Sequence, residues 1–443
     1  MWLLAASCFF YMFFKPVYIL ILAFTIVIDY FAGVLIQNEE HESKRKLYLV
    51  TSLIGNIGVL AVFKYYNFIN DNISGIATLF HYKNQIPYLN MILPIGLSFH
   101  TFQAMSYTLE VYRRKQVAET HFGIYALYVM FYPQLVAGPI ERPQNILPQF
   151  HEKKYFAYPN TIAGIKLIAF GLFKKVVVAD RLAIYVNHVY GDLKHASSIS
   201  TILAMIFFAI QIYTDFSGYS DIARGSAKVM GYDLMKNFNE PFMSRSITDF
   251  WRRWHISLST WFNDYLFTPM LIAFRDLKLV GIAIAILITF FISGLWHGAG
   301  WTYILYGVVN GIALTFEIYT KKIRKRLFGY LPVAVNATLS QLLALIFIIS
   351  SWVLFRAETL SKAKLIYSKV LECDFKVDMN QIFASSGPLN FIVIILTLTL
   401  YLLISKLPER FYNKLEFSYV LILFFLIITL GKSESGGFIY FQF

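Results

Sequence analysis

Charged residues and cysteine are both scarce in this 443-residue chain. Only 15% of its residues are charged, against about 25% in a typical soluble domain, while 57% are hydrophobic. One soluble core of this size cannot bury so many apolar stretches, so a soluble globular fold is excluded. The two cysteines, Cys8 and Cys373, cannot build a disulfide framework or a cysteine-rich metal site.

Several motifs of common enzymes are also missing. The chain has no P-loop, no G-x-S-x-G serine elbow and no short-spaced metal-binding cluster such as H-E-x-x-H. ATP hydrolysis, the common soluble hydrolases and a metal centre are therefore disfavoured. Acidic residues are few, because 26 Asp and Glu oppose 39 Lys and Arg. The basic residues alternate with apolar stretches, which favours membrane orientation and anionic lipid over nucleic acid.

Long apolar stretches are what the chain has instead. Residues 279–316 contain no Asp, Glu, Lys or Arg, and about 20 apolar residues already cross a bilayer. Hydropathy predicts thirteen spanning segments, near residues 1–14, 16–36, 47–68, 90–110, 122–137, 161–178, 198–214, 258–274, 279–296, 300–319, 335–355, 388–405 and 418–431. Short basic loops, which usually face the cytoplasm, are predicted at 44–46, 113–115, 174–175 and 321–326. We expect an all-α polytopic membrane protein with roughly 10–13 spanning or re-entrant helices.

His297 lies in a glycine-rich break between two apolar helices, in the string SGLWHGAGW at 293–301. It is the only side chain of the charge-free run that titrates near neutral pH, so it can take a proton from a hydroxyl and return one to a leaving group. The flanking glycines allow a substrate to approach closely. The alternative is a tight interfacial turn with a histidine at headgroup level.

The segment 215–265 is polar and aromatic at once. It is too polar to face lipid and too aromatic for an ordinary solvated loop, so we expect it to line a cavity or lie along an interface. Ser246 and Asp249 stand at capping-box spacing before a predicted helix within it.

The string WRRWHISLSTW at 251–261 follows that cap. On one continuous helix, Trp251, Trp254, His255 and Leu258 would share a face, which suggests a tunnel wall. His255 would orient a substrate or the first histidine, and one of the neighbouring arginines would meet a phosphate or a pantetheine carrier. An interfacial helix with snorkelling arginines is the alternative.

Four ordered motifs together resemble the membrane-bound O-acyltransferase family. They are YPQLVAGPIERP at 132–143, DFSGYSDIARG at 215–225 and the two strings around the histidines. The resemblance runs from about residue 90 and is greatest for the alginate O-acetyltransferase branch, which includes peptidoglycan O-acetyltransferases and is related to teichoic acid D-alanyl transferases. It implies one membrane-embedded domain around a central funnel or tunnel, with peripheral helices in 1–89, a catalytic core in 90–355 and C-terminal helices in 356–443.

The resemblance also implies roles and partners. His297 matches the invariant histidine of the family and His255 its second polar position. Acetyl-CoA would be the donor, with no permanently bound cofactor and no metal, in a bacterial inner membrane. The acetyl group would reach an extracytoplasmic SGNH-esterase-like partner that esterifies an exported polysaccharide. The residues expected to shape the tunnel or bind substrate are Trp254, Trp296, Arg252, Arg253, Asn310 and Asp215.

The aromatic ending at 437–443 also resembles this branch. Tyr440 is a candidate for a transient acyl carrier, since an activated phenolic oxygen can be acylated; an aromatic anchor at the interface is the alternative. Family members usually begin with a further apolar helix, so Met1 is expected to be an alternative or truncated start. The competing functions are D-alanyl transfer from a carrier protein and a non-enzymatic lipid or polysaccharide transporter.

Overall fold

The computed structural model describes residues 1–90, 93–374, 383, 387–432 and 437–438. Every regular element within these ranges is helical, which confirms the all-α fold class. The chain forms two compact units, one of residues 1–156 with 230–235 and one of residues 157–229 with 236–443. The domain limits predicted near residues 89 and 355 remain predictions.

The first unit contains seven α-helices among its described residues. They are α1 (Trp2–Phe14), α2 (Ile19–Asn38), α3 (Glu42–Leu60), α4 (Tyr66–Leu79), α5 (Leu97–Tyr112), α6 (Phe122–Met130) and α7 (Pro143–His151). A π-helical segment, Ala61–Tyr65, joins α3 to α4. In this unit the buried carboxyl group of Asp29 accepts hydrogen bonds from Ser52 Oγ (2.5 Å) and Asn56 Nδ2 (2.9 Å), so this polar group inside an apolar helix is satisfied by its neighbours.

The second unit contains the candidate site. Its helices are α8 (Tyr158–Leu172), α9 (Asp180–Gly191), α10 (Ser198–Val229), α11 (Ile247–Arg253), α12 (Ile256–Phe262), α13 (Thr268–Ala273), α14 (Lys278–His297), α15 (Trp301–Tyr319), α16 (Lys321–Phe328), α17 (Val333–Arg356), α18 (Leu360–Leu371), α19 (Gly387–Ser405) and α20 (Glu409–Leu430). The π-helical segments Phe173–Ala179 and Asn263–Phe267 join α8 to α9 and α12 to α13.

Six helices in the described part of the chain are long and apolar enough to cross a membrane. They are Pro16–Asn38, Glu42–Leu79, Ser198–Val229, Arg275–His297, Val333–Arg356 and Pro388–Ser405, and the apolar helices Trp2–Phe13 and Phe417–Leu430 are shorter. The protein is therefore multi-pass. Several of the thirteen predicted spanning segments fold as helices that length and composition do not class as spanning.

Several predicted helix ends are wrong. Helix α10 does not end at residue 214 but continues to Val229, and its polar residues Asp215, Ser217 and Ser220 are buried within the second unit. Helix α5 begins at Leu97 instead of residue 90, and α6 ends at Met130 instead of residue 137. At α10 the reason is that hydropathy treats a polar residue as the end of a span, whereas neighbouring helices here enclose the polar side chains.

The predicted basic loop at Lys174 and Lys175 is also wrong. Both lysines lie on the π-helical segment between α8 and α9. Lys174 Nζ pairs with Asp221 Oδ2 at 2.5 Å, and Lys175 Nζ pairs with Asp215 Oδ1 at 2.7 Å. Their charges are therefore neutralised by carboxylates of α10, which the sequence separates from them by a whole helix.

Glycines set the close approach of α8 to α10. A Cβ atom added at Gly171 would lie 2.5 Å from the carbonyl oxygen of Gly218, and one at Gly164 would lie 2.6 Å from that of Gly225. The two pairs are each seven residues apart along their helices, so they repeat on one face. Small residues at such crossings let helix backbones pack closely in a membrane, where packing rather than water exclusion drives association. This close crossing brings Lys174 and Lys175 of the π-helical segment within ion-pair distance of the aspartates of α10.

Candidate active site

Helices α14 and α15 form a tight hairpin whose turn carries the first histidine. Helix α14 ends at His297, and Gly298 and Gly300 follow with extended backbone before α15 begins. This confirms the predicted helix break. A Cβ at Gly294 would collide with the carbonyl oxygen of Tyr303, so glycine is required where the two helices approach each other. His297 is thereby held at a helix end, with only 6% of its surface exposed.

The second histidine lies at a break that the sequence did not predict. Helix α11 ends at Arg253, Trp254 is extended, and His255 has φ +43° and ψ +55° before α12 begins. The shared helical face predicted for Trp251, Trp254, His255 and Leu258 is therefore wrong. A left-handed backbone is strained for a residue with a side chain and persists only when its surroundings enforce it. The sequence contains no glycine or proline there to signal the break.

Asn237 holds this break, although the sequence marks it only as one of many polar residues in the segment 215–265. Its carbonyl oxygen accepts a hydrogen bond from the amide of Ile256 at 2.8 Å, and its Oδ1 accepts one from Ser257 Oγ at 2.6 Å. The amide of Asn239 donates to the carbonyl of Arg253 at 3.0 Å. The stretch 237–239 thus bonds the backbone on both sides of His255 and holds this break in place.

One tryptophan lies beside both imidazoles. The ring centroid of Trp296 is 5.0 Å from that of His297 and 6.1 Å from that of His255. His255 is fully buried, and Trp296 is only 4% exposed. The structure therefore brings together three residues predicted separately from two distant motifs, in surroundings shielded from bulk water.

Burial sets the charge state of His255, which lies outside the six apolar helices. Burial lowers the pKa of its imidazole well below the ordinary value, and the nearby His297 lowers it further. His255 is therefore neutral at physiological pH, and a neutral imidazole can accept a hydrogen bond or a proton.

Aromatic residues that the motifs did not identify complete the surroundings. The ring of Phe216 on α10 lies 4.6 Å from His255, and the rings of Phe355 and Tyr306 lie 5.2 and 6.1 Å from His297. Phe216 lies inside the motif at 215–225, but the sequence of that motif does not indicate which of its side chains contacts a histidine.

Two further predicted residues lie in the same part of the second unit. Trp254 is buried and packs 4.9 Å from Trp352 of α17. Asn310 is fully buried on α15, and its Nδ2 donates to the carbonyl of Tyr306, the residue beside His297. Among the described residues, Asn310 Oδ1 has no hydrogen-bond donor, which leaves a polar acceptor for a substrate or water.

The remaining predicted residues are placed differently. Arg252 is exposed, and Arg253 pairs with Asp249 (2.8 Å) on its own helix. The carboxylate of Asp215 binds Lys175, and Tyr440 lies outside the described residues. No group of three or more His, Cys, Asp or Glu side chains suited to a metal ion occurs in the described part of the chain.

The arrangement is suited to proton transfer in a dry environment. An imidazole can act as a general base, and a second imidazole and an indole can shape the space around it. Comparison with known proteins identifies the chemistry. The model of the membrane-bound O-acyltransferase family matches residues 41–355, well over half of the chain. The chain belongs to this family.

Individual relatives agree with the family assignment. The chain is 35% identical over 397 residues to a peptidoglycan O-acetyltransferase of Helicobacter pylori, a match that covers 82% of this chain and 72% of that protein. It is 34% identical over 375 residues to a probable alginate O-acetylase of Pseudomonas aeruginosa, covering 82% and 68%. A teichoic acid D-alanyltransferase of Bacillus subtilis is 29% identical over 265 residues, covering 57% and 66%.

The protein is thus an O-acyltransferase related to enzymes that O-acetylate polysaccharides. The resemblance inferred from the four motifs is confirmed, and the transporter alternative is left without support. The protein is a multi-pass membrane protein with bacterial relatives.

Proposed function

We propose that this acyltransferase passes an acetyl group from cytoplasmic acetyl-CoA across a bacterial inner membrane, for O-acetylation of an exported polysaccharide such as an alginate-like polymer or peptidoglycan. The observation that carries the proposal is the contact of Trp296 with both buried histidines, in a chain similar to enzymes of this class. No metal is required, because an acyl thioester is already activated toward a hydroxyl.

In the proposed reaction His297 is the general base. It removes the proton from the acceptor hydroxyl while the hydroxyl oxygen bonds to the thioester carbonyl carbon. The carbon–sulfur bond then breaks, and the proton returns from His297 to the departing thiolate, so that protons balance. His255 supports His297 or orients the acyl group, and its neutral state suits it to accept a hydrogen bond.

The proposed passage is a funnel or tunnel through a bundle of 10–13 spanning or re-entrant helices, the shorter helices included. Trp254, Trp296 and Asn310 would shape it. The burial of all three, and the acceptor oxygen of Asn310, support this assignment. Donor and acceptor would meet at the histidines from opposite faces of the membrane.

Arg252 and Arg253 are proposed to bind the phosphate or the pantetheine carrier of the acyl donor. Arg252 is exposed and can meet a phosphate, whereas Arg253 would first have to leave Asp249. Asp215 is a further proposed substrate-binding residue. Because it also forms an ion pair with Lys175, an experiment must distinguish loss of substrate binding from loss of this structural contact.

Delivery outside the cell is proposed to need an SGNH-esterase-like acetyltransferase partner. Tyr440 is a proposed transient carrier of the acetyl group. Mass spectrometry of protein incubated with labelled acetyl-CoA tests it: acetyl-Tyr440 supports a relay, and full activity of Tyr440→Phe rejects it.

The choice of donor tests the proposed function as a whole. Purified protein in liposomes is given radiolabelled acetyl-CoA or, in a parallel sample, a carrier protein charged with radiolabelled D-alanine. Label should appear in an acceptor only with acetyl-CoA. Transfer only from the D-alanyl carrier would establish the second candidate, which the teichoic acid relative favours.

A further inference from the structure

Glu317 lies on α15, the helix that follows His297, yet its carboxylate binds α11, the helix that precedes His255. Its Oε2 accepts hydrogen bonds from the Thr248 amide at 2.8 Å and the Thr248 hydroxyl at 2.6 Å. Its Oε1 accepts a bond from the Ile247 amide at 3.2 Å. This contact joins the two segments of chain that carry the two histidines.

Helix α11 needs such a partner. The first backbone amides of any helix lack an acceptor within the helix, and a helix of seven residues is too short to be stable alone. Ser246 Oγ accepts the amide of Asp249 at 2.9 Å, as its capping position predicts. Glu317 accepts hydrogen bonds from the amides of the two residues before Asp249, so Ser246 and Glu317 together provide acceptors for the amides of the first turn. A carboxylate also interacts favourably with the positive end of the helix dipole.

The carboxylate is itself held in place. Arg324 of α16 pairs with Glu317 Oε1 at 3.8 Å and donates from Nη2 to the Glu317 carbonyl oxygen at 2.7 Å. The Glu317 side chain is 11% exposed, so it is largely removed from competing water. A fixed acceptor loses little side-chain freedom when it caps the helix.

The position of α11 determines the position of the second histidine. His255 is two residues beyond the end of α11. Along α11, Trp251 contacts Phe290 of α14 at 5.2 Å, and Phe250 contacts Trp352 of α17 at 5.8 Å. A change at the start of α11 is therefore transmitted to the break at His255. Glu317 lies about 24 Å along α15 from its first residue, so it acts on the histidines only indirectly.

We propose that Glu317 is a positioning residue that fixes α11, and through it Trp254 and His255, relative to the hairpin of His297. Its catalytic consequence rests on the proposed acyl transfer, whereas its effect on α11 does not. Charge-free residues precede it from 279 to 316, and its sequence alone marks it only as an acidic residue at the end of an apolar helix.

Kinetics of three variants test the catalytic consequence. In Glu317→Ala, kcat should fall roughly ten- to hundred-fold while KM for acetyl-CoA changes little, because misplacement of catalytic groups by about 1 Å has effects of that size. Glu317→Gln keeps one acceptor oxygen and should retain an intermediate kcat. The control, Asp276→Ala, removes a carboxylate that is 92% exposed and should leave kcat unchanged.

Hydrogen exchange tests the positioning without relying on activity. The amides of residues 247–250 should exchange faster in Glu317→Ala than in the wild type, and faster than in Glu317→Gln. If the wild-type protein transfers no acetyl group, the proposed function is rejected, but the exchange rates still test whether Glu317 fixes α11. Unchanged exchange and unchanged kcat in Glu317→Ala would overturn the proposal; should that variant not fold, the same comparison in Glu317→Gln decides.

Discussion

The imidazole of His255 and the indole of Trp296 lie 6.1 Å apart between ring centroids, although His255 is at the break between α11 and α12 and Trp296 is on α14. The same indole lies 5.0 Å from the ring of His297. Trp296 therefore packs beside both histidines, and we expect its indole to help hold them in place.

Shortening this side chain should disturb both histidines at once. We expect Trp296→Leu to lower acetyl transfer about tenfold or more, because reacting groups displaced by about 1 Å lose that much rate. Trp296→Phe keeps an aromatic ring and should retain more activity. Initial rates with labelled acetyl-CoA measure the effect, and equal rates in Trp296→Leu and wild type would show that the indole does not arrange the site.

The left-handed backbone of His255 allows its side chain and its conformation to be tested separately. Asparagine tolerates this conformation better than alanine does. We therefore expect His255→Asn to unfold at a higher temperature than His255→Ala, while both lose most transfer activity. Thermal unfolding in detergent and rate assays measure the two effects. Wild-type activity in His255→Asn would remove the imidazole from the mechanism.

Much of the fold class follows from composition, because low charge and long apolar runs leave only a helical membrane protein. The sequence also predicted the break after His297, since Gly298 and Gly300 flank it. The break at His255 could not be predicted in this way. It is imposed by Asn237 and Asn239, which form hydrogen bonds with the backbone of Ile256 and Arg253 from outside the helices. Local helix propensity does not reflect such long-range contacts.

Buried charges account for a further error. Lys174 and Lys175 were predicted in a loop because charges usually end a spanning helix, yet Asp221 and Asp215 neutralise them within the second unit. Predicting these ion pairs from the sequence requires knowing how α8 crosses α10. The seven-residue spacing of Gly164 from Gly171, and of Gly218 from Gly225, is a signal in the sequence from which that crossing could have been inferred.

The glycine crossing makes a stability prediction with a matched control. Gly171→Ala would place a Cβ atom 2.5 Å from the Gly218 carbonyl oxygen and should destabilise the protein by about 1–3 kcal/mol. Gly58→Ala, on α3, would meet nothing within 4 Å and should stabilise it by roughly 0.5–1 kcal/mol. Thermal unfolding of both variants checks this, and equal melting temperatures would contradict a close crossing of α8 and α10.

The ion pairs of Lys175 lead to a second stability prediction. Lys175→Met would leave Asp180 and Asp215 without this cation, and breaking a buried pair costs roughly 3–5 kcal/mol. Adding Asp215→Asn to Lys175→Met should recover part of the loss. Denaturation of the single and double variants measures the coupling. Strictly additive effects would contradict the ion pair.

His297 is the base on which the proposed acyl transfer depends most. The direct measurement is the rate at which His297→Ala and His297→Gln move label from acetyl-CoA to an acceptor, in liposomes that contain equal amounts of folded protein. We predict that both variants fold as the wild type does and that neither transfers acetyl above background. Transfer at the wild-type rate by either variant would contradict the account.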